Sequence, residues 1–431
     1  MDSRWTKLSD VPEQVRLLKS NARFRVIAAG RRSGKTERSK RRIVWAAASS
    51  IQDGAKFVAC APTRDQAKRI FWQDLLALVH TYPGGKPGWQ TKNISYSDLC
   101  IELRCGAELM VVGLDKPQRL EGMPIDGAVL DEYAECKAEA WPQTLRPALS
   151  TLNRLGWCWF TGRPKGRNHF YDLWRDAKTR EGWDSFHWAS SEVLPAAEIE
   201  SARRDLDPLT FRQEYEADFV SFEGRAYYQW DANIHMRSLS YDPSLPLVFC
   251  FDFNVDPGIA VVLQDQPQLN ASCVIGEVHI PRNSNTPAVC RRLCMDWQHH
   301  KGPVHLYGDA TGNSRKTSAT NGTDWELIRE HLRGTFQNLS DRSLKANPLE
   351  RDRLNSVNTR LKNAAGEVRL LVDPRKAPHL VRDLDGVVLL AGGSGEIDKK
   401  RDPELTHMSD ALGYFVHARH PVGGTPKTSI T

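Results

Sequence analysis

From Phe24 to about Val220, short apolar runs alternate with longer stretches whose apolar residues recur at helical spacing. RFRVIAAG reads as a strand, KTERSKRRIVWAAASS as a helix, KFVACAP as a strand and RDQAKRIFWQDLLALVHTY as a helix. LCIELRCGAELMVVG has the alternation of a hairpin, GAVLDE is a buried strand with an acidic end, EAWPQTLRPAL a helix and WCWFTG a further strand. Strands that alternate with helices predict an α/β domain with a doubly wound parallel sheet covered on both faces.

A different pattern starts near Tyr241, after the irregular aromatic stretch SFEGRAYYQWD. LVFCFDF, IAVVLQ and SCVIGEVHI are three strands in succession, joined by the turn signals NVDPG and QDQPQLN. A helix near Pro287 to His299 and a strand VHLYGD follow. Strand, strand, strand, helix, strand is the order of an RNase H-like mixed-sheet domain. The expected division is therefore residues 1–222, with a small helical linker subdomain from about 190, a hinge at 223–230, a second domain at 231–421, and a small polar tail at 422–431 whose composition predicts flexibility.

A chain of 431 residues is long enough for two or three cores, which agrees with this division. Hydrophobic residues make up 40% and charged residues 26%, and no apolar run approaches the roughly 18 residues of a membrane helix. The N-terminal stretch MDSRWTKLSDVPEQVRLLKS is charged throughout and shows no apolar signal region, so a cytoplasmic protein without a membrane partner is expected. The net charge of +6 permits a polyanionic partner without requiring one. Nine cysteines without framework spacing suit reduced thiols. Cys290 and Cys294, near His299 and His300, raise a zinc site, but Val289, Cys290, Leu293, Cys294 and Trp297 share one helical face and read better as core.

The strand RFRVIAAG runs directly into AGRRSGKT and a helix. Ala29, Gly30, Arg31, Arg32, Ser33, Gly34, Lys35 and Thr36 fit the phosphate-loop spacing, with Ala29 at the usual first glycine. Backbone N–H groups around Gly34 would cradle ATP phosphates, Lys35 would reach the β and γ oxygens, and Thr36 would offer its hydroxyl to Mg²⁺. A hundred residues on, GAVLDE ends in Asp131, placed for the same metal, and Glu132, placed to polarise the attacking water. The strand WCWFTG ends in Thr161 and Gly162, where a polar strand end could sense the γ-phosphate. Gln14 could read adenine through its amide, and an exposed helix position accounts for it equally. Arg31, Arg32 and Arg146 are candidates for an arginine finger, Arg146 because it follows the acidic strand.

In the second domain Asp252 falls in the middle of the first strand, among residues that otherwise read as buried. Asp309 ends the fourth strand and Asp410 begins the helix THMSDALGYFVHARH, with His407 on the same face. In an RNase H-like topology these positions converge, and three carboxylates there would hold two Mg²⁺ ions, or Mn²⁺ in their place, for cutting a phosphodiester. Asn254 and Asp256 belong to a turn that explains them without chemistry. Arg351, Arg353, Arg360, Lys362, Arg375, Lys376 and Arg382 could form a phosphate-contacting basic face or a solvated one.

AGRRSGKT, DGAVLDEYAE, FTGRPKGRNHFYDLW, FRQEYEADFV, FDFNVDPGIAVV, YGDATG and HMSDALGYF appear in that order, and together they resemble the large terminase subunit of tailed bacteriophages over nearly the whole chain. The resemblance implies an N-terminal ATPase of the RecA-like ASCE class that translocates double-stranded DNA, and a C-terminal endonuclease that cuts concatemeric genomes at the start and end of packaging. It carries Lys35 and Thr36 to phosphates and magnesium, Asp131 to magnesium, Glu132 to catalytic base, Thr161 to the coupling motif, and Asp252, Asp309 and Asp410 to nuclease metals. It further implies a homo-oligomeric ring, pentameric, on the portal protein of a procapsid, a small terminase subunit as partner, and a host-cytoplasmic life that visits the portal vertex and leaves no copy in the mature virion. Two other readings stand beside it: a helicase-like ATPase–nuclease of repair or recombination, expected to carry a second RecA-like domain, and a non-enzymatic DNA-binding scaffold.

Overall fold

The computed structural model describes residues 11–81, 91–151, 154–166, 168–220, 224–253, 256–313, 323–390, 395–402 and 405–422. Asn254 and nearly all of the predicted tail lie outside them, as does the first residue of the predicted hinge. The chain divides into two compact units, Met1–Ile199 with Arg212–Ser221, and Glu200–Phe211 with Phe222–Thr431. Residues 200–211 thus group with the second unit and residues 212–221 with the first.

The first unit is built on an eight-stranded sheet in the order β10-β1-β9-β6-β2-β5-β4-β3. The strands are β1 (Phe24–Ala29), β2 (Lys56–Ala61), β3 (Thr91–Ser95), β4 (Cys100–Leu103), β5 (Glu108–Gly113), β6 (Gly127–Leu130), β9 (Trp157–Gly162) and β10 (Trp183–Trp188). A two-stranded hairpin, β7 (Ser150–Thr151) and β8 (Arg154–Leu155), stands apart from it. From β10 to β5 every pairing is parallel, and β4 and β3 add an antiparallel edge. All six residues of β1 are buried, as expected of a central parallel strand covered on both faces. Ile27, Ala29, Val129 and Trp159 point into one core with Ile43, Val44 and Trp72, while Val26, Ala28, Leu130 and Phe160 point into the other with Trp141 and Phe170.

Two strands of this sheet, β3 and β10, carry too many polar residues for the apolar pattern to reveal. β10 reads WDSFHW and has only Phe186 and Trp188 buried, which is what an edge strand tolerates. The helix expected over EAWPQTLRPAL is instead π-helical at Ala140–Leu145 and α-helical only at Arg146–Ala148. Pro142 within it has no N–H to close a regular turn.

The second unit has a six-stranded mixed sheet, β15-β14-β11-β12-β13-β16. β11 (Leu247–Asp252), β12 (Gly258–Gln266) and β13 (Ala271–Ile280) form an antiparallel meander, and β14 (Val304–Gly308) returns parallel to β11. β15 (Leu339–Asp341) and β16 (Leu370–Val372) close the two edges in parallel. This is the RNase H-like order read from the sequence. The helix Thr286–Trp297, capped by Asn285, buries Val289, Cys290 and Leu293, and Cys294 and Trp297 pack against the same core. The helix His407–Arg419 is buried on every side from Met408 to Val416, which fits its packing across the middle of the sheet.

Candidate nucleotide and metal sites

In the first unit the sheet order brings the C-terminal ends of β1, β9 and β6 side by side, where ligands of doubly wound sheets bind. Ala29 ends β1 and the loop 30–34 leads into the helix Lys35–Ala48. Gly34 has φ +86 and Arg32 φ +55, so the loop passes twice through the left-handed region and turns its backbone inward. Gly30 has no room for a side chain, since a Cβ would stand 2.4 Å from Ser190 Oγ and 2.6 Å from the Tyr215 carbonyl.

Around this loop the acidic strand end is locked in place. Thr36 Oγ1 donates to Asp131 Oδ2 at 2.8 Å, and Thr161 Oγ1 donates to Asp131 Oδ1 at 2.6 Å. Asp131 is 1% exposed and Thr161 fully buried. Register explains the meeting: Leu130 pairs with Phe160 and Thr161 with Ile27, so Thr161 lies between the phosphate loop and Asp131. Lys35 is buried and donates to the Gly30 carbonyl at 3.5 Å. Burial lowers its pKa, opposed by the carboxylates of Glu132 and Asp131. Burial raises that of Glu132, opposed by Lys35 and reinforced by Asp131. Glu132 itself adopts φ +50, an uncommon backbone for a non-glycine residue. Gly162 ends β9 beside Tyr133 and Phe170.

Gln14 is not an exposed helix residue. It is 1% exposed, its Nε2 donates to the Ser33 carbonyl at 2.9 Å, and its Oε1 accepts from Arg38 Nη2 at 2.7 Å. Both ends of the amide are engaged in bracing the phosphate loop, so reading adenine would require exchanging those bonds. Trp188 Nε1 donates to the same Ser33 carbonyl at 3.1 Å. Arg146 lies elsewhere: its guanidinium stacks 5.2 Å from the Phe24 ring, at the opposite end of β1 from the loop. Six residues of strand separate the two ends, about 17 Å at 3.3 Å per residue, which removes Arg146 from the phosphate loop of its own chain. Arg31 and Arg32 are exposed, and Arg31 Nε stands 3.4 Å from Glu214. The arginine that the fold does bring to the acid pair is Arg163, one residue past β9, with Nε 3.5 Å from Glu132 Oε2. The available signal for Arg163 was a basic residue directly after a strand end that neighbours the acidic one.

In the second unit Asp252 is the last residue of β11, not its middle. A strand end can turn a carboxylate toward a site, whereas a mid-strand position would bury it in the core. Asp309 follows β14, and its N–H donates to the Phe251 carbonyl at 3.2 Å, so the two aspartates sit at adjacent strand ends. Asp410 lies in the first turn of His407–Arg419. His407 Nδ1 is 3.4 Å from Asp252 Oδ2, and Asp252, Asp309 and Asp410 all act electrostatically on Tyr414. Burial raises the Asp410 pKa to about 6, with Arg353 opposing and Asp252 reinforcing. The Asp252 hydrogen bond raises that of His407.

Among the described residues no three His, Cys, Asp or Glu side chains stand ready to hold a metal ion. Arg353 Nη2 donates to Asp410 Oδ1 at 2.6 Å, and Asn347 Nδ2 donates to Asp309 Oδ1 at 2.7 Å. The donor types, carboxylate oxygens with one imidazole, suit Mg²⁺ or Mn²⁺. The sequence offers Arg353 only as part of a basic face, not as the partner of Asp410. That face is broken up, since Arg353 is buried, Arg360 donates to Ser272 Oγ at 3.1 Å, and Arg382 pairs with Asp402 at 3.2 Å.

Residues 26–231 match the family model described as terminase large subunit, T4likevirus-type, N-terminal. The large terminase subunit of Thermus virus P23-45 is 31% identical over 243 residues, covering 50% of this chain and 49% of that protein. That of Escherichia phage T5 is 29% identical over 195 residues, covering 44% and 43%. The chain thus spans about half the length of the curated relatives it matches. A large terminase from a thermophilic bacteriophage has the same fold over 95% of this chain and 99% of that one, with TM-score 0.60 at 15% identity. A structure of that terminase in complex with ATP-gamma-S aligns with TM-score 0.58 at 16% identity, over 94% and 98%. No helix among the described residues is long and apolar enough to cross a membrane. By sequence, residues 26–231 are similar to the N-terminal part of large terminase subunits, and the fold of the chain matches that of a large terminase over nearly its whole length.

Proposed function

We propose that the chain is the motor and the nuclease of a phage DNA-packaging machine, hydrolysing ATP to translocate double-stranded DNA into a procapsid and cutting concatemeric DNA at initiation and termination. The observation that carries the motor half is the buried chain from Thr36 through Asp131 to Thr161, set beside Lys35 and Glu132 at three neighbouring strand ends. The N–H groups of residues 29–34 cradle the phosphates, and Lys35 neutralises the β and γ oxygens. Thr36 and Asp131 would hold Mg²⁺, which supplies positive charge against the developing negative charge of the leaving phosphate. Glu132 orients the attacking water and accepts its proton. Thr161 and Gly162, tied to Asp131 by the Thr161 hydroxyl, report the state of the site to the chain beyond β9.

In the second unit Asp252, Asp309 and Asp410, with His407, are the donors that would hold Mg²⁺ or Mn²⁺, whose chemistry is to activate water and stabilise the leaving 3′ oxygen. Arg353 and Asn347 would orient the Asp410 and Asp309 carboxylates beside that metal, each through one oxygen. The partners that follow are double-stranded DNA, the portal protein, a small terminase subunit and further copies of this chain in a ring, with activity in the host cytoplasm. The thermophilic-phage terminase in complex with ATP-gamma-S supports the nucleotide half. The antiparallel meander β11-β12-β13 favours this reading over a helicase-like enzyme, whose second domain would be another parallel sheet. Lys35→Ala tests it: ATP hydrolysis is abolished while cutting of naked plasmid persists, and loss of both in a folded variant overturns the separation of sites.

A further inference from the structure

A chain of alternating charges joins the acid pair to the segment 212–220 of the first unit. Glu214 ends the helix Pro208–Glu214. Its backbone carbonyl accepts the Arg31 N–H at 2.7 Å, and its carboxylate stands 3.4 Å from Arg31 Nε. The same carboxylate pairs closely with Arg163 Nη1. Through Nε, the Arg163 guanidinium also faces Glu132 Oε2 at 3.5 Å. One planar guanidinium thus serves two carboxylates, with Glu214 the tighter partner and Glu132 the looser. Burial works against the charge on Arg163, but Glu214 and Glu132 more than offset it. Arg163 directly follows β9, which ends at Gly162 between β1 and β6.

The segment beyond Glu214 is fastened to the phosphate loop itself. The Tyr215 carbonyl accepts the Ser190 N–H at 2.6 Å, Ser190 Oγ donates to the Arg31 carbonyl at 2.7 Å, and Gly30 leaves no space between them. Any change in how Arg163 divides itself between Glu132 and Glu214 is therefore felt at the loop and at 212–220 together.

We propose that Arg163 is a positioning residue for ATP hydrolysis, shared between Glu132 and Glu214 so that the stance of the Glu132 carboxylate and the docking of segment 212–220 on the phosphate loop are set jointly. The proposal rests on the ATPase reading above. The Arg163 hold on Glu132 aims that carboxylate at the attacking water. A stronger hold on Glu214 draws the guanidinium off Glu132 and fastens the segment.

The test uses the full chain and three readouts: steady-state ATP hydrolysis, ATP-gamma-S affinity by calorimetry, and hydrogen exchange of residues 212–220 with and without ATP-gamma-S. Arg163→Ala lowers kcat at least tenfold, leaves the Kd for ATP-gamma-S within threefold, and abolishes the exchange response of 212–220. Arg163→Lys recovers part of kcat, since an ammonium meets one carboxylate at a time. Glu214→Gln changes kcat in the wild-type background and has no further effect in Arg163→Ala, because the two act through one link. The proposal is overturned by wild-type kcat in a folded Arg163→Ala, by effects of Arg163→Ala and Glu214→Gln that multiply, or by an unchanged exchange response. Should Arg163→Ala fail to fold, Arg163→Lys and Glu214→Gln carry the same test, and independence of those two overturns it. A wild-type chain that neither binds ATP-gamma-S nor hydrolyses ATP sinks the ATPase reading itself, whereas an active wild type with an indifferent Arg163→Ala sinks only this proposal.

Discussion

Replacing Thr161 by valine removes one hydroxyl and nothing else of consequence. Valine has the same shape, so the fully buried site keeps its packing, and the only loss is the donor 2.6 Å from Asp131 Oδ1. A hydrogen bond to a charged acceptor contributes about 1.5–3 kcal/mol net, and a carboxylate that keeps its second donor, Thr36, sits in the lower part of that range. The first unit should therefore lose about 2 kcal/mol against urea, read by the fluorescence of its buried Trp159 and Trp188. Because Asp131 also aligns Thr36, the same loss of order costs about 2 kcal/mol of transition-state alignment, or roughly a 30-fold fall in kcat. Thr161→Ser supplies the control. It keeps the hydroxyl and removes one methyl, which costs about 0.8 kcal/mol of burial, and its kcat stays near wild type. Equal stability and equal kcat in the two variants would refute the reasoning, since the hydroxyl would then do nothing that the methyl does not.

Gln14→Ala removes the bonds to Ser33 and Arg38 and loosens the phosphate loop, lowering ATP affinity about fivefold in calorimetry at about 1 kcal/mol; unchanged affinity would show that Trp188 alone braces Ser33. Asp410→Asn abolishes metal-dependent plasmid cutting while ATP turnover stays within twofold of wild type, and a matching fall in ATP turnover would contradict separate sites. His305 gives a pH dependence. Burial, with Arg342 and Arg419 nearby, lowers its pKa from 6.5 to about 4, so the unfolded chain binds the extra proton between those values. Stability is complete above about pH 6.5 and falls as the solution is acidified toward pH 4, by about 1 kcal/mol at pH 5 once partial exposure is discounted. His305→Gln should flatten that slope in urea titrations at pH 7 and 5; an identical slope would remove His305 from the account.

Most of the architecture was legible because the central strands are continuous apolar runs and the helices between them keep a clear period. The edge strands were not, since β3 and β10 owe their place to pairing with a neighbour rather than to an apolar face of their own. The phosphate loop and the acidic strand end could be read because their spacing carries the chemistry. Arg163 and Arg353 could not, because a lone arginine gains meaning only when the fold sets it against Glu132 or Asp410. Arg146 shows the converse. It follows the acidic strand in the sequence, yet the chain carries it to the end of β1 opposite its own phosphate loop. The apolar run continues through Phe253 and so places Asp252 at mid-strand by pattern, although the strand itself stops one residue earlier.

The central claim is that one chain carries a motor and a separate metal-dependent nuclease. The most direct test is cleavage of supercoiled plasmid by the purified chain in Mg²⁺ or Mn²⁺, comparing wild type, Asp309→Ala and Lys35→Ala. The account predicts cutting by wild type and by Lys35→Ala, and none by Asp309→Ala. Cutting that survives in Asp309→Ala, or disappears in a folded Lys35→Ala, would contradict it.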